Sequence, residues 1–165
     1  MAIDPSNHFA RRNLEQLLSW RFVANPPAGV NPAREDLLDS GLRALQRGDL
    51  ARAREVFGLA HGLSSDDPRP MFFWALTLEE EGKQQEAGAL YRKVIDSFPD
   101  YAPARINLVI CLLSCGESRE AEHETRRAMA AFPESHEFRA LQSLLQRRGY
   151  PGSERETGAP VQGSP

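Results

Sequence analysis

The stretch Gly82–Pro99, GKQQEAGALYRKVIDSFP, decides the fold, because its pattern recurs on either side at one fixed interval. Moved back by 34 positions, it lays Gly48, Ala53, Phe57 and Ala60 under Gly82, Ala87, Tyr91 and Val94. Moved forward by the same amount, it meets Gly116, Ala121, Thr125 and Ala128. The upstream half of each unit joins in. Leu37, Ser40, Gly41 and Ala44 align with Met71, Trp74, Ala75 and Leu78, and again with Arg105, Leu108, Val109 and Leu112. Pro99 and Pro133 close the second and third units at equivalent places, whereas the first has Ser65 there, with Pro68 just beyond.

Each unit has a physical logic. Small residues such as Gly41, Ala75, Ala53, Ala87 and Ala121 permit two helix axes to approach closely. Trp74, Phe57 and Tyr91 are large enough to fill the neighbouring holes. Gly48, Gly82 and Gly116 stand where the first helix of each unit ends, a position that favours a left-handed backbone free of Cβ strain. Helices are predicted over 35–47 and 51–63, 70–81 and 84–97, then 103–115 and 118–131. In period, residue type and helix–turn–helix layout these units resemble the tetratricopeptide family, over roughly residues 34–134. Thr125, where an aromatic is usual, departs from its pattern. The fold expected is an all-α, right-handed solenoid of three helical hairpins, 34–67, 68–101 and 102–135, with an added helix at each end.

Outside the repeats, the pattern from His8 to Val23 is that of an amphipathic helix, with Phe9, Leu14, Leu17, Leu18 and Phe22 apolar and Trp20 near the apolar edge. NPPAGVNP, Asn25–Pro32, breaks it and reads as a linker, so that residues 1–33 form an N-terminal unit. HEFRALQSLLQRR, His136–Arg148, falls in register with a further first helix and lacks a second. It reads as a C-terminal cap, with Phe138, Leu141, Leu144 and Leu145 facing one way. Residues 149–165, rich in Gly, Pro and Ser, are expected to be a disordered tail.

Bulk properties exclude several functions. A net charge of −3, with 26% charged residues, argues against general nucleic-acid binding, which needs a concentrated basic face. No run approaches the roughly 18 apolar residues of a membrane span, and no signal-peptide core follows the N-terminal charges, so a cytoplasmic protein is expected. Cys111 and Cys115 lie one turn apart in a single helix, a poor geometry for a disulfide. With His123 they lack the spacing of a zinc site, and small buried core cysteines are the commoner case. The four histidines are scattered, and no phosphate loop or nucleophile motif occurs. Neither an enzyme nor a cofactor or metal is expected.

The functional signal lies in the first helices, which are apolar nearly all round. One side is taken by partner helices. The other carries Leu38, Leu42 and Leu45, then Phe72 and Leu76, then Ile106, Ile110 and Leu113, at i, i+4, i+7 spacing. In tetratricopeptide arrays these positions line a concave groove. The expected function is therefore a non-catalytic module that binds an apolar segment of a partner protein. Glu79, at the head of the acidic run Glu79–Glu81, is a further candidate at the groove mouth, favouring basic residues beside that segment. A carboxylate clamp, known in the family, is unsupported, because Leu38 and Leu42 occupy its positions and Asn107 stands alone. Self-filling of the groove, by the N-terminal helix or by a second copy, stays open. So does a homodimer through Phe9, Leu14, Leu17 and Trp20.

The layout is also similar to the class II chaperones of type III secretion. DDPRPMFFWAL, Asp66–Leu76, and HEFRAL, His136–Leu141, carry that likeness, while the NPPAGVNP linker departs from it. The resemblance implies a chaperone that holds a hydrophobic secreted protein, contacted through Leu38, Leu42, Phe72, Leu76, Ile106 and Ile110. The alternative is a structural or assembly scaffold of a secretion or motility complex.

Overall fold

In the computed structural model, residues 31–63 and 65–147 are described. Among them are seven helices and no strand: α1 (Pro32–Gln46), α2 (Leu50–Leu63), α3 (Arg69–Glu80), α4 (Gln84–Ser97), α5 (Ala102–Ser114), α6 (Ser118–Ala131) and α7 (His136–Arg147). Each packs on the next in order, so α1–α2, α3–α4 and α5–α6 form three successive hairpins and α7 covers α6.

The turn inside each hairpin follows from its glycine. Gly48, Gly82 and Gly116 have φ of +77°, +77° and +79°. This left-handed residue turns the next backbone N–H back over the helix end. Asp49 N–H donates to Ala44 O at 2.9 Å, Lys83 to Leu78 at 2.8 Å and Glu117 to Leu112 at 2.8 Å. Bonds of this kind satisfy carbonyls that the helix end leaves open. The second helices end differently. Phe98 N–H bonds to Val94 O and Phe132 N–H to Ala128 O, each immediately before a proline that cannot extend the helix.

α1 starts earlier than the sequence pattern indicates, at Pro32 rather than near Glu35. Asn31 explains the difference. Its side-chain oxygen accepts from Ala33 N–H at 3.0 Å, and Pro32, lacking an N–H, suits the first helical position. The last residues of the proline-rich stretch therefore start the helix instead of linking to it.

Within the first hairpin the close approach falls at Gly41. A Cβ built there would lie 2.5 Å from Cε1 of Phe57, a fully buried ring. Phe57 stacks on Phe73 of the next repeat with centroids 5.4 Å apart. Phe72 then meets Tyr91 and Tyr101 at 5.6 and 5.4 Å, so an aromatic chain runs through the first two repeats. In the third repeat Thr125 takes the aromatic position. Buried, it donates its hydroxyl to Ala121 O at 2.7 Å, which removes the cost of an unpaired polar group. Phe132 and Phe138 stack at 5.7 Å and join α7 to the array. Phe138, Leu141 and Leu145 are buried, but Leu144 is 37% exposed and stands apart from that face.

Repeat one lacks its closing proline, and charge takes over. Asp67, buried, accepts from Arg69 through the backbone N–H at 2.9 Å and through Nε at 3.0 Å. Arg34 Nε approaches the same carboxylate at 3.3 Å, and Arg69 also pairs with Glu35. Burial alone would lower the Arg69 pKa, but hydrogen bonds to Asp67 and Glu35 hold it above its ordinary value.

Gly41→Ala is expected to destabilise the chain by about 1–3 kcal/mol in urea unfolding, the usual cost of overpacking. The same substitution in a Phe57→Leu background should cost less, because the two sites share one contact. Equal costs in both backgrounds would show that the ring is not what restricts position 41.

Candidate partner-binding face

The first helices of the three hairpins present the stripe picked out by the apolar pattern, and the structure divides it in two. Leu38, Leu42 and Leu45 on α1 and Phe72 and Leu76 on α3 are buried, none more than 8% exposed. All five belong to the hydrophobic core. Ile106, Ile110 and Leu113 on α5 are only partly buried and pack against that core from outside it. Phe72 and Ile106 occupy the same repeat position, as do Leu76 and Ile110, so the difference lies in their surroundings. The open part of the stripe is α5, one turn after another at i, i+4, i+7 spacing. Phe9, Leu14, Leu17 and Trp20, the candidates for self-association, lie outside the described residues.

Glu79 stands at the repeat position held by Leu45 and Leu113, a charge in an apolar stripe. Its carboxylate turns inward. Tyr91 Oη donates to one oxygen at 2.7 Å, and the Cys111 thiol donates to the other at 3.0 Å. Asn107 Nδ2 in turn donates to Tyr91 Oη at 3.2 Å. Side chains from α3, α4 and α5 thus share one polar network between the second and third repeats. Burial drives the Glu79 carboxyl above the usual carboxylate range. The Tyr91 and Cys111 hydrogen bonds oppose the rise, and Glu80 adds to it. Burial, with the Glu79 charge behind it, raises Tyr91 and Cys111 as well. A thiol held protonated is a poor nucleophile and a poor metal ligand. Among the described residues no group of three or more His, Cys, Asp or Glu could hold a metal ion.

Of the acidic run, Glu81 is committed elsewhere, accepting from Arg54 at 3.1 Å and pairing with Lys83 at 2.7 Å. The sequence pattern missed both polar clusters. A signal for each is present in retrospect: Glu79 breaks an otherwise apolar stripe, and Glu35 and Arg69 put opposite charges on one repeat position.

The fold and this face together define a class of protein, and comparison with known proteins agrees. The tetratricopeptide repeat family model matches residues 78–145. The chain is built of tetratricopeptide repeats. Among curated proteins it is similar to the cytochrome c-type biogenesis protein CycH of Rhizobium meliloti, 43% identical over 77 residues, 46% of this chain and 20% of that one. It is also similar to CycH of Bradyrhizobium diazoefficiens, 32% identical over 78 residues, 47% of this chain and 21% of that one. The chain spans about a fifth of the length of these relatives. Among solved structures it is similar to the Yersinia enterocolitica type III secretion chaperone SycD in complex with a peptide of the translocator YopD. The TM-score is 0.64 at 19% identity, over 73% of this chain and 98% of that one, a likeness of fold. No helix among the described residues is long and apolar enough to cross a membrane.

The Glu79 network fixes the sign of a pH effect. A carboxyl whose pKa is raised by folding adds most stability below its unfolded value and loses that contribution as pH rises through the folded one. Native chain should therefore lose urea resistance relative to Glu79→Gln as pH rises from the ordinary carboxylate range towards neutrality. Curves that stay parallel, or converge with rising pH, would remove the buried carboxyl as the cause.

Proposed function

We propose that this chain is a non-catalytic module that holds an apolar segment of a partner protein on the concave face, at the α5 strip. The observation that carries the reading is the partial exposure of Ile106, Ile110 and Leu113, three large apolar residues in one line on an otherwise buried helix face. Contiguous apolar surface of this kind commonly marks an interaction site. Burying three such side chains supplies up to about 1.5–3 kcal/mol each before entropy losses, which suits reversible, micromolar binding. Leu38, Leu42, Phe72 and Leu76 then act beneath the surface, as support for the strip.

Two uses of such a module have support. SycD, similar in fold, is a secretion chaperone whose solved complex contains a translocator peptide, which favours a client-holding chaperone in the cytoplasm. CycH, similar at higher identity, is a cytochrome c-type biogenesis protein, which favours a component serving the assembly of another protein. The second use corresponds to a scaffold or adaptor role and has the stronger sequence support. In both, the strip receives a segment of an immature or unassembled protein.

Ile106→Glu with Ile110→Glu, in the full chain, should leave circular dichroism unchanged and weaken partner capture at least about tenfold, equivalent to 1.4 kcal/mol. Phe72 is the wrong place for such a charge, because a fully buried ring cannot be replaced without loss of fold. Partners retained equally by native and doubly substituted chains would overturn the reading.

A further inference from the structure

α3 is buried on every side. Pro70, Phe72, Phe73, Ala75, Leu76, Thr77 and Leu78 are all buried, and on a helix these seven positions point in all directions. α2 and α4 pack against it, with α1 touching it more lightly, and Tyr101 at the start of α5 meets Phe72. These neighbours lie along the array. Yet on the concave side Phe72 is 0% and Leu76 2% exposed, whereas their repeat equivalents Ile106 and Ile110 are partly open. A helix apolar and buried all round needs a neighbour on each side.

We propose that residues 8–23 of this same chain cover the concave face of α1 and α3, leaving the α5 strip to the partner. Three observations select this occupant. The segment carries Phe9, Leu14, Leu17, Leu18 and Phe22 at helical spacing, an apolar face of its own that needs burial. It is tethered at the right place, because the chain enters α1 at Asn31, leaving seven residues after Val23. Seven extended residues span up to about 25 Å, enough to return along α1, itself about 22 Å long. Charge agrees as well. Arg11, Arg12 and Arg21 outnumber Glu15 in the segment, and Glu35, Asp39 and Glu80 stand at concave positions of α1 and α3. The inference rests on the reading of the concave face as the binding surface and assigns its two halves to different occupants.

The test uses Trp20. The chain has two tryptophans, so full-length Trp74→Phe makes Trp20 the sole reporter. Its emission should be blue-shifted and several-fold less quenched by acrylamide than in a free peptide of residues 1–25, and independent of protein concentration. Arg11→Glu with Arg12→Glu, which leaves the repeats untouched, should move the emission towards that of the free peptide. Solvent-like emission in the Trp74→Phe chain would overturn the proposal. Shielding that fades on dilution would also overturn it, assigning the face to a second copy. The partner-capture experiment fails or succeeds separately. Exposed Trp20 with capture still sensitive to Ile106→Glu rejects this inference alone, and shielded Trp20 with insensitive capture rejects the proposed function alone.

Discussion

Two helices cross closely only where one of them gives up its side chain, and the packing around Gly41 depends on that constraint. The hydrogen there admits the edge of Phe57, and the same repeat position carries Ala75 and then Val109, both fully buried. Once the crossing is tight, the chain must reverse within a few residues to return beside itself. The left-handed glycines at 48, 82 and 116 make that reversal without strain while bonding the carbonyls they leave behind. A large ring must then fill the space on the far side of each crossing, which explains why Phe57 and Tyr91 recur in register. The 34-residue period is the length of chain needed to do this once.

This logic was legible because each element of it leaves a residue type at a fixed position. The six paired helices and the capping helix could be placed from the spacing of Gly48, Gly82 and Gly116 and the alternating small and large residues. The start of α1 was less legible, since NPPAGVNP contains both a helix breaker and a helix starter, and only the Asn31 cap decides between them. The candidate face was legible in phase but not in depth. Helical spacing puts Leu38, Phe72 and Ile106 on one stripe, but it cannot tell which part of the stripe is covered, because cover comes from elsewhere in the chain. Glu79 shows a different limit. Within a run of three glutamates it reads as solvated surface, and its burial depends on Tyr91 and Cys111, 12 and 32 positions away.

The ion cluster around Asp67 and the network around Glu79 occupy comparable places, the joints between consecutive repeats. At the first joint Arg34, Glu35 and Arg69 meet around a buried carboxylate where the closing proline is missing. At the second a buried carboxyl, a phenol, a thiol and an amide meet between α3, α4 and α5. Buried polar groups contribute little net stability, because desolvation offsets most of what their bonds return. Their directional bonds do favour one geometry over others nearby. Apolar packing alone tolerates small changes in the angle between repeats, whereas a hydrogen bond of 2.7 Å from Tyr91 to Glu79 does not.

That difference bears on α5. Asn107 and Cys111 take part in the network, and Ile106 and Ile110, each one residue earlier, belong to the open strip. One helix is thus tied on its inner side by directional bonds and presents apolar side chains on its outer side. A surface held in this way loses little conformational entropy when a partner docks, so more of the free energy of burial appears as affinity. The polar residues behind α5 and the apolar residues in front of it serve one purpose. The network fixes the orientation of α5, and that orientation keeps Ile106, Ile110 and Leu113 in line.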